Sequence, residues 1–414
     1  MNALRQLEQA VLEEGREWTR RRWEQQLQAQ SNALPARCPQ TNQGLKNTRW
    51  RDLRLDSVVG PVSLRVRHGY SPALGRWVCP AREAWGLPAY QRLSPEFQAR
   101  LTYTATDTGS YEGAARLAAN WGSPISDGCI HEPRQRLGEA APTLALPTPG
   151  PTPGEPEFSL VIMPDGWMAR ERGPDWGASR RKKKPQRIAG HEIKSAVIYR
   201  LEQRAQNAGG RGLLIEKSVV ASPRKPRRWT SGPPFRPRRG GAGWARAKVV
   251  YLVMDGAAWL WDLAEDRFAD PLKTLDFHHA RDHLWALAHA LYGPDTPEAR
   301  AGVEPLLSPL RHGQERRVVR RLEQLWDQEA EGGPEARTVI EREVNYFQTH
   351  RDHLHYQAME QAEAPRGSGP VESLGKQLQR RLRGCGQSWS RPGLTHLLHL
   401  CVPVKNDDHS LLWN

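Results

Sequence analysis

Six prolines fall within the sixteen residues 141–156, APTLALPTPGPTPGEP. Each fixes φ and removes a backbone donor, so neither a helix interior nor a central strand can run through this stretch. The composition predicts an extended spacer, and a chain of 414 residues is long enough to fold as separate domains on either side of it.

Ahead of the spacer, Leu4, Leu7, Val11 and Trp18 recur at helical spacing on a polar background. They predict an amphipathic helix packed on its own domain, with dimerisation through the stripe as the alternative. Residues 53–70, LRLDSVVGPVSLRVRHGY, alternate apolar and polar positions on both sides of Gly60-Pro61, which reads as a β-hairpin. SYEGAARLAANWG (110–122) and SPISDGCIHEPRQRLGEA (123–140) read as two short helices, the first ended by Gly122 and the second capped by Ser126 and Asp127. Such a pair is either a DNA-reading helix-turn-helix or an ordinary helical hairpin.

Beyond the spacer, 157–166, 192–202, 212–220, 247–261 and 274–279 are hydrophobic runs rich in β-branched residues, and together they predict a mixed α/β sheet. From 280 to 362 the pattern turns helical throughout, as in Val318, Leu322, Leu325 and Trp326. After Gly367-Ser368-Gly369 a final helix, PVESLGKQLQRRLRG, closes the fold. The expected organisation is a DNA-binding region at 1–140, the spacer at 141–156, the first part of an α/β core at 157–279, an all-helical insertion at 280–362 and the core's last helix and tail at 363–414.

The net charge is +14, but between residues 180 and 250 stand 20 Lys+Arg against three acids. That segment carries +17 and the other 343 residues sum to −3. A near-neutral body with one basic region, headed by Arg180, Arg181, Lys182, Lys183 and Lys184, points to an acidic polyelectrolyte as partner. Five scattered cysteines without a C-x-x-C pair argue against a disulfide framework and against a zinc site, and favour a reducing cytosol. No run approaches the roughly 18 apolar residues that cross a bilayer, so a membrane role is not expected.

Two apolar runs lead into Asp-Gly: Asp165 after LVIMP and Asp255 after VVYLVM. Carboxylates at the ends of neighbouring buried strands can be brought within metal-bridging distance, although Asp-Gly is also an ordinary turn. A third acid is needed to fix a pair of hard cations, and Glu372 in G-S-G-P-V-E-S is the candidate, or else a helix-start acid favoured by the macrodipole. Lys376, Arg380 and Arg383 follow Glu372 at i+4, i+8 and i+11, a stripe suited to a phosphodiester backbone or simply a solvated face.

LVIMPDG, then VMDGAAWLWDL with LDFHHARDHLWALAHAL, then GSGPVES with GCGQSW, resemble the ordered blocks of DDE transposases of bacterial insertion sequences, in particular the ISKra-type group. The likeness extends well over residues 157–392 and more loosely over the N-terminal hairpin and helix pair. It implies a ribonuclease-H-like catalytic core with an all-α insertion, and a triad of Asp165, Asp255 and Glu372 holding two Mg²⁺ or Mn²⁺ ions. It also implies auxiliary roles for Asp276 and His279 in an Asp-x-x-His motif, while His278 and His283 are taken as structural. The cysteine-rich element that relatives often carry after the hairpin is reduced here to Cys79, so no zinc is expected. The partners implied are double-stranded DNA, as transposon ends and target, and further copies of the chain in a dimer or larger assembly, in a cytoplasmic, nucleoid-associated setting. The alternatives are an inactive, transposase-derived DNA-binding protein and a related structure-specific nuclease. The segment 221–246 falls where such a core carries a helix, and its Pro and Gly content predicts a poor or shortened one.

Overall fold

The computed structural model describes residues 2–143, 157–173, 176, 188–206, 208, 212–223, 247–268, 270–328 and 334–413. Two compact units emerge, one of Met1–Leu144 with His399–Val404 and Asp408–Asn414, the other of Ala145–Leu398 with Lys405–Asp407. The chain thus divides near the Pro-rich segment. Of that segment, Ala141–Thr143 forms a 3-10 turn and the remainder lies outside the described residues.

The first unit runs α1 (Ala3–Ala33), β1 (Lys46–Ser57), β2 (Gly60–Ser71), β3 (Arg76–Val78), α2 (Pro80–Ala84), α3 (Pro95–Asp107), α4 (Tyr111–Asn120) and α5 (Asp127–Ala140). The predicted hairpin is present, with Ser57 paired to Gly60 and the tight turn at Val58-Val59 rather than at Gly60-Pro61. Its alternation buries Leu53, Leu55, Val62, Leu64 and Val66 on one face, where Trp23 and Leu27 of α1 pack. The expected helix pair is α4 and α5, joined by α3 in a cluster around Phe97, Leu101 and Ile130. Ser126 occupies the cap position of α5 without a capping hydrogen bond from its side chain.

The stripe on α1 departs from expectation. Leu4, Leu7, Val11 and Trp18 are 70, 63, 59 and 68 % exposed. At 100° per residue they lie roughly opposite Arg20, Glu24, Gln28 and Ser31, which engage β2 through the carbonyls of Pro61 and Arg65 and the N–H groups of Ser63 and Arg65. A helix can lay only one side on the hairpin, and the side that docks joins Trp23 and Leu27 with these hydrogen-bonding residues.

The second unit runs β4 (Phe158–Arg172), β5 (Ile188–Arg200), β6 (Arg204–Gln206), β7 (Gly212–Leu214), β8 (Ser218–Ser222), β9 (Ala247–Met254), α6 (Ala258–Arg267) and β10 (Leu272–Leu275). It continues through α7 (Phe277–Tyr292), α8 (Pro297–Arg311), α9 (Glu315–Gln328), α10 (Pro334–Thr349), α11 (Tyr356–Gln361), α12 (Gly369–Leu382) and α13 (Arg391–Lys405). The fold is mixed α/β. Its five-stranded sheet has the order β10-β9-β4-β5-β8, in which β5 is antiparallel to both neighbours while β9 and β10 run parallel to β4.

Alternation along these strands gives the sheet two faces. Leu160, Ile162, Ala196, Ile198, Leu252 and Met254 pack with Leu260 and Ala264 of α6. The opposite side of β4 and β5 meets α12, whose Gly375 lies close enough to Trp167 that a β-carbon there would sit 3.7 Å from its ring. Helices α7 to α11 build a separate apolar cluster around Leu284, Leu306, Leu310, Val318, Leu322 and Phe347. Among the described residues, no helix is long and apolar enough to cross a membrane.

Three boundaries differ from expectation. β4 does not stop at Asp165-Gly166 but continues to Arg172, because Trp167 and Ala169 keep the buried alternation going and β5 pairs with the whole length. The run 274–279 is strand only to Leu275, after which Asp276 caps α7. The tail does not stay wholly with the core: Leu400 and Leu412 pack with Ala141 in the first unit, and His399 Nδ1 is hydrogen-bonded to the Gly138 carbonyl.

Candidate functional site

Asp165 sits inside β4 opposite Ser195 of β5, on the sheet face that α12 covers. Its Oδ1 accepts from the Gly166 N–H at 2.6 Å. Asp255 is the first residue past β9, and its Oδ1 accepts from the Ala257 N–H at 2.9 Å, which turns the chain into α6. The residue between them is Gly256, with φ +96°. A β-carbon there would stand 3.1–3.3 Å from Leu275, His350 Nε2 and the Tyr346 hydroxyl, so glycine is needed for both space and conformation. Glu372 lies in the first turn of α12 behind Pro370, with Ser368 Oγ 3.4 Å from its Oε1.

The three acids share one electrostatic environment. Burial raises the Asp165 carboxyl to about 6, and the negative charges of Asp255 and Glu372 push the same way against the Gly166 N–H and His279. His279 is raised by the Asp276 carboxylate, 3.5 Å from its Nδ1, and by the charges of Asp255 and Glu372, with burial opposing.

Asp276 is the hub. It is fully buried, and its own N–H donates to the Met254 carbonyl at 2.7 Å, at the end of the strand that delivers Asp255. Its Oδ1 accepts from the His279 N–H at 2.9 Å, capping α7, and its Oδ2 accepts from the Ser368 N–H just ahead of Glu372. A further bond from the Phe277 N–H to the Arg366 carbonyl, 2.9 Å long, closes the same junction. Burial alone would raise the Asp276 carboxyl, but the hydrogen bonds from His279 and Ser368 hold it below the ordinary range. One residue, through its backbone N–H on one side and its carboxylate on the other, therefore ties together two acid-bearing segments that the helical group separates in sequence.

No protein-family model matches this chain, and no curated protein matches it either. Function must be argued from the site itself.

Among the described residues, Asp276, His279 and Glu372 offer ligand atoms that all lie within 4.8 Å of one another. Asp165 and Asp255 do not join that set at this spacing, so the pair expected as auxiliary is grouped more tightly with Glu372 than the first two acids are. The donor chemistry fits a hard divalent cation: carboxylate oxygens with one imidazole and no thiolate. The raised Asp165 carboxyl gives a second reason. Burial is the main reason its ionised form is disfavoured, with the charge of Asp255 next, and a bound cation would offset both.

Lys376, Arg380 and Arg383 are exposed along α12, and Lys376 Nζ lies 4.0 Å from Glu372. Arg180, Arg181, Lys182, Lys183 and Lys184 lie outside the described residues, as does most of 221–246. Sequence reasoning passed over Ser368, although an Asp at a helix start three residues ahead of His279 is itself a capping signal. It also passed over Tyr346 and His350, which wall Gly256 from about 90 positions downstream and carry no local signal. His283 has the structural role expected of it, hydrogen-bonded to Glu343 at 2.6 Å and stacked on Tyr346.

Proposed function

We propose that this chain is a DDE-type DNA transposase, which cuts phosphodiester bonds at element ends and joins the freed 3′ ends to target DNA in a divalent-metal-dependent reaction. The observation that carries the proposal is geometric: Asp165 stands on β4 and Asp255 just past the end of its parallel neighbour β9, and Asp276 ties the end of β9 to the segment just ahead of Glu372. The sheet supports it too: an antiparallel meander of three strands leading into two strands parallel to the first is the order a ribonuclease-H-like core requires. The all-α group between β10 and α12 stands where the helical insertion is expected.

Asp165, Asp255 and Glu372 would hold two Mg²⁺ or Mn²⁺ ions, with His279 and Asp276 at the edge of the set. Bound there, such ions activate the attacking oxygen and stabilise the leaving one. The carboxylates act as ligands, not as proton relays. Asp276 fixes where Glu372 stands relative to Asp255, and its carboxylate lies 3.5 Å from His279 Nδ1 at the edge of the same pocket. The exposed Lys376, Arg380 and Arg383 continue that surface along α12 for the phosphodiester backbone. The α3–α5 cluster supplies a helix pair for reading end sequences, and pairing of two ends calls for at least a dimer.

The test is purified protein with linear DNA bearing the flanking ends of its gene, in Mg²⁺ and in EDTA, wild type beside Glu372→Ala. Metal-dependent nicking and joining in wild type alone is expected. Cutting without end preference would favour the structure-specific nuclease, and binding without cutting the inactive descendant.

A further inference from the structure

Six surface arginines on the helices of the first unit share one habit, which Arg5 and Arg22 of α1 do not follow. Arg16, Arg20, Arg21, Arg100, Arg116 and Arg136 each pair with a glutamate three or four residues away on the same helix, at 2.5–3.3 Å. Helix α9 breaks it. Arg316, Arg317, Arg320 and Arg321 are all exposed, and among the described residues no carboxylate lies within ion-pair distance of any of them. Arg317 and Arg321 touch only the neutral amides of Gln314 and Gln324.

Helical geometry puts all four on one outward strip. Arg316 and Arg320 form one like-charge pair at i,i+4 and Arg317 and Arg321 a second, arrangements that weaken a helix on its own. The four cations stand within about 8 Å of helix length. The apolar side of α9 is already used, since Val318 and Leu322 are buried in the helical cluster with Leu325 and Trp326 packed beside them. Apart from the small cavity that Arg321 borders with Leu291, Tyr292 and Leu325, the strip among the described residues is polar, without the broad apolar centre of a protein interface or the hydrophobic face of a membrane-lying helix. What remains suits a closely spaced row of phosphates, which guanidinium groups grip bidentately.

The strip is fixed to the segment that leads into the acid site. Arg366, two residues before Ser368, donates to the Arg311 carbonyl at 3.2 Å just ahead of α9, and a β-carbon on Gly313 would run into Gln357 at the start of α11.

We infer that the outer face of α9, through Arg316, Arg317, Arg320 and Arg321, is a clamp for the phosphodiester backbone of duplex DNA. It adds a contact surface that the helical group contributes to the reaction proposed above, and it rests on that reading.

The experiment is fluorescence anisotropy of a labelled 30-base-pair duplex with the full chain in EDTA, across a salt series, for wild type, R320Q/R321Q and the fourfold variant R316Q/R317Q/R320Q/R321Q. Each phosphate contact contributes about 0.9 to the slope of log affinity against log salt. The fourfold variant should flatten the slope by about 3 to 4 and weaken binding roughly tenfold or more near 0.1 M salt, and the double variant about half that slope change. The double variant decides the matter if the fourfold one does not fold. Cutting at saturating protein in Mg²⁺ should persist. Slopes equal to wild type would overturn the clamp while leaving the catalytic proposal intact, as would a slope change seen only with an RNA duplex. Wild type that neither binds nor cuts DNA would instead bring down the function on which the clamp depends.

Discussion

On one face of the five-stranded sheet, Leu160, Ile162, Leu252 and Met254 interlock with Leu260 and Ala264 of α6 in an apolar layer. On the other, β4 and β5 present Asp165 and Ser195 to α12, and one residue beyond β9 stands Asp255. The same backbone serves both faces, so the contrast lies in side chains alone. Apolar burial on the first face stabilises the unit by the usual area effect. The second face carries the Asp165 carboxyl, which burial and the charge of Asp255 hold above its ordinary range, so its ionised form works against folding. The apolar core and the candidate site thereby lie on opposite sides of one sheet.

The contrast can be broken first on the apolar side. Leu260 is fully buried, and Leu260→Ala should cost about 2–5 kcal/mol in urea unfolding while leaving metal affinity of the folded protein unchanged. A matching loss of metal affinity would mean the faces are not separable.

A smaller effect is expected at the junction. Asp276→Asn turns one acceptor into a donor facing either the His279 or the Ser368 N–H, and should cost about 1.5–3 kcal/mol near neutral pH. The Asp276 carboxyl is held below its ordinary value, so its contribution is present above about pH 4 and fades as the pH falls further. The gap between wild type and variant in denaturant melts should narrow accordingly in acid. Metal half-saturation should shift upward as Glu372 loses its anchor.

The smallest stability change has the opposite sign. Asp165 is raised, so the fold tolerates its protonated form and resists its ionised one. In EDTA, wild type and Asp165→Asn should be about equally stable below pH 4. Between about pH 4 and pH 6 the wild type should fall progressively behind, by about 1–2 kcal/mol in all after discounting for partial exposure, and stay level above that. Thermal melts across that range would show it, and no divergence would mean that neither burial nor the charge of Asp255 disfavours the ionised Asp165.

The same contrast explains what was legible in the sequence. Period-two alternation announced the hairpin, and period-3.6 spacing announced α9 through Val318 and Leu322, because both signals are local. Glu372 in the first turn of a helix behind Pro370 was readable for the same reason. Asp165 as a residue inside a strand was not, since Asp-Gly is a good turn and only pairing with β5 keeps β4 extended to Arg172. Nor was the role of Asp276, whose second oxygen meets Ser368 across the whole helical group. The apolar stripe of α1 misled in a third way: its periodicity was sound, but a different side, with Trp23, Leu27 and Gln28, docks on the hairpin.

Mn²⁺ titration calorimetry on the metal-free full chain at pH 7.5 tests the carboxylate site most directly. Wild type should bind saturably, and Asp165→Asn, Asp255→Asn and Glu372→Gln should each weaken or abolish that binding while keeping the wild-type circular dichroism. No saturable binding in wild type, or equal binding in all four proteins, would contradict it.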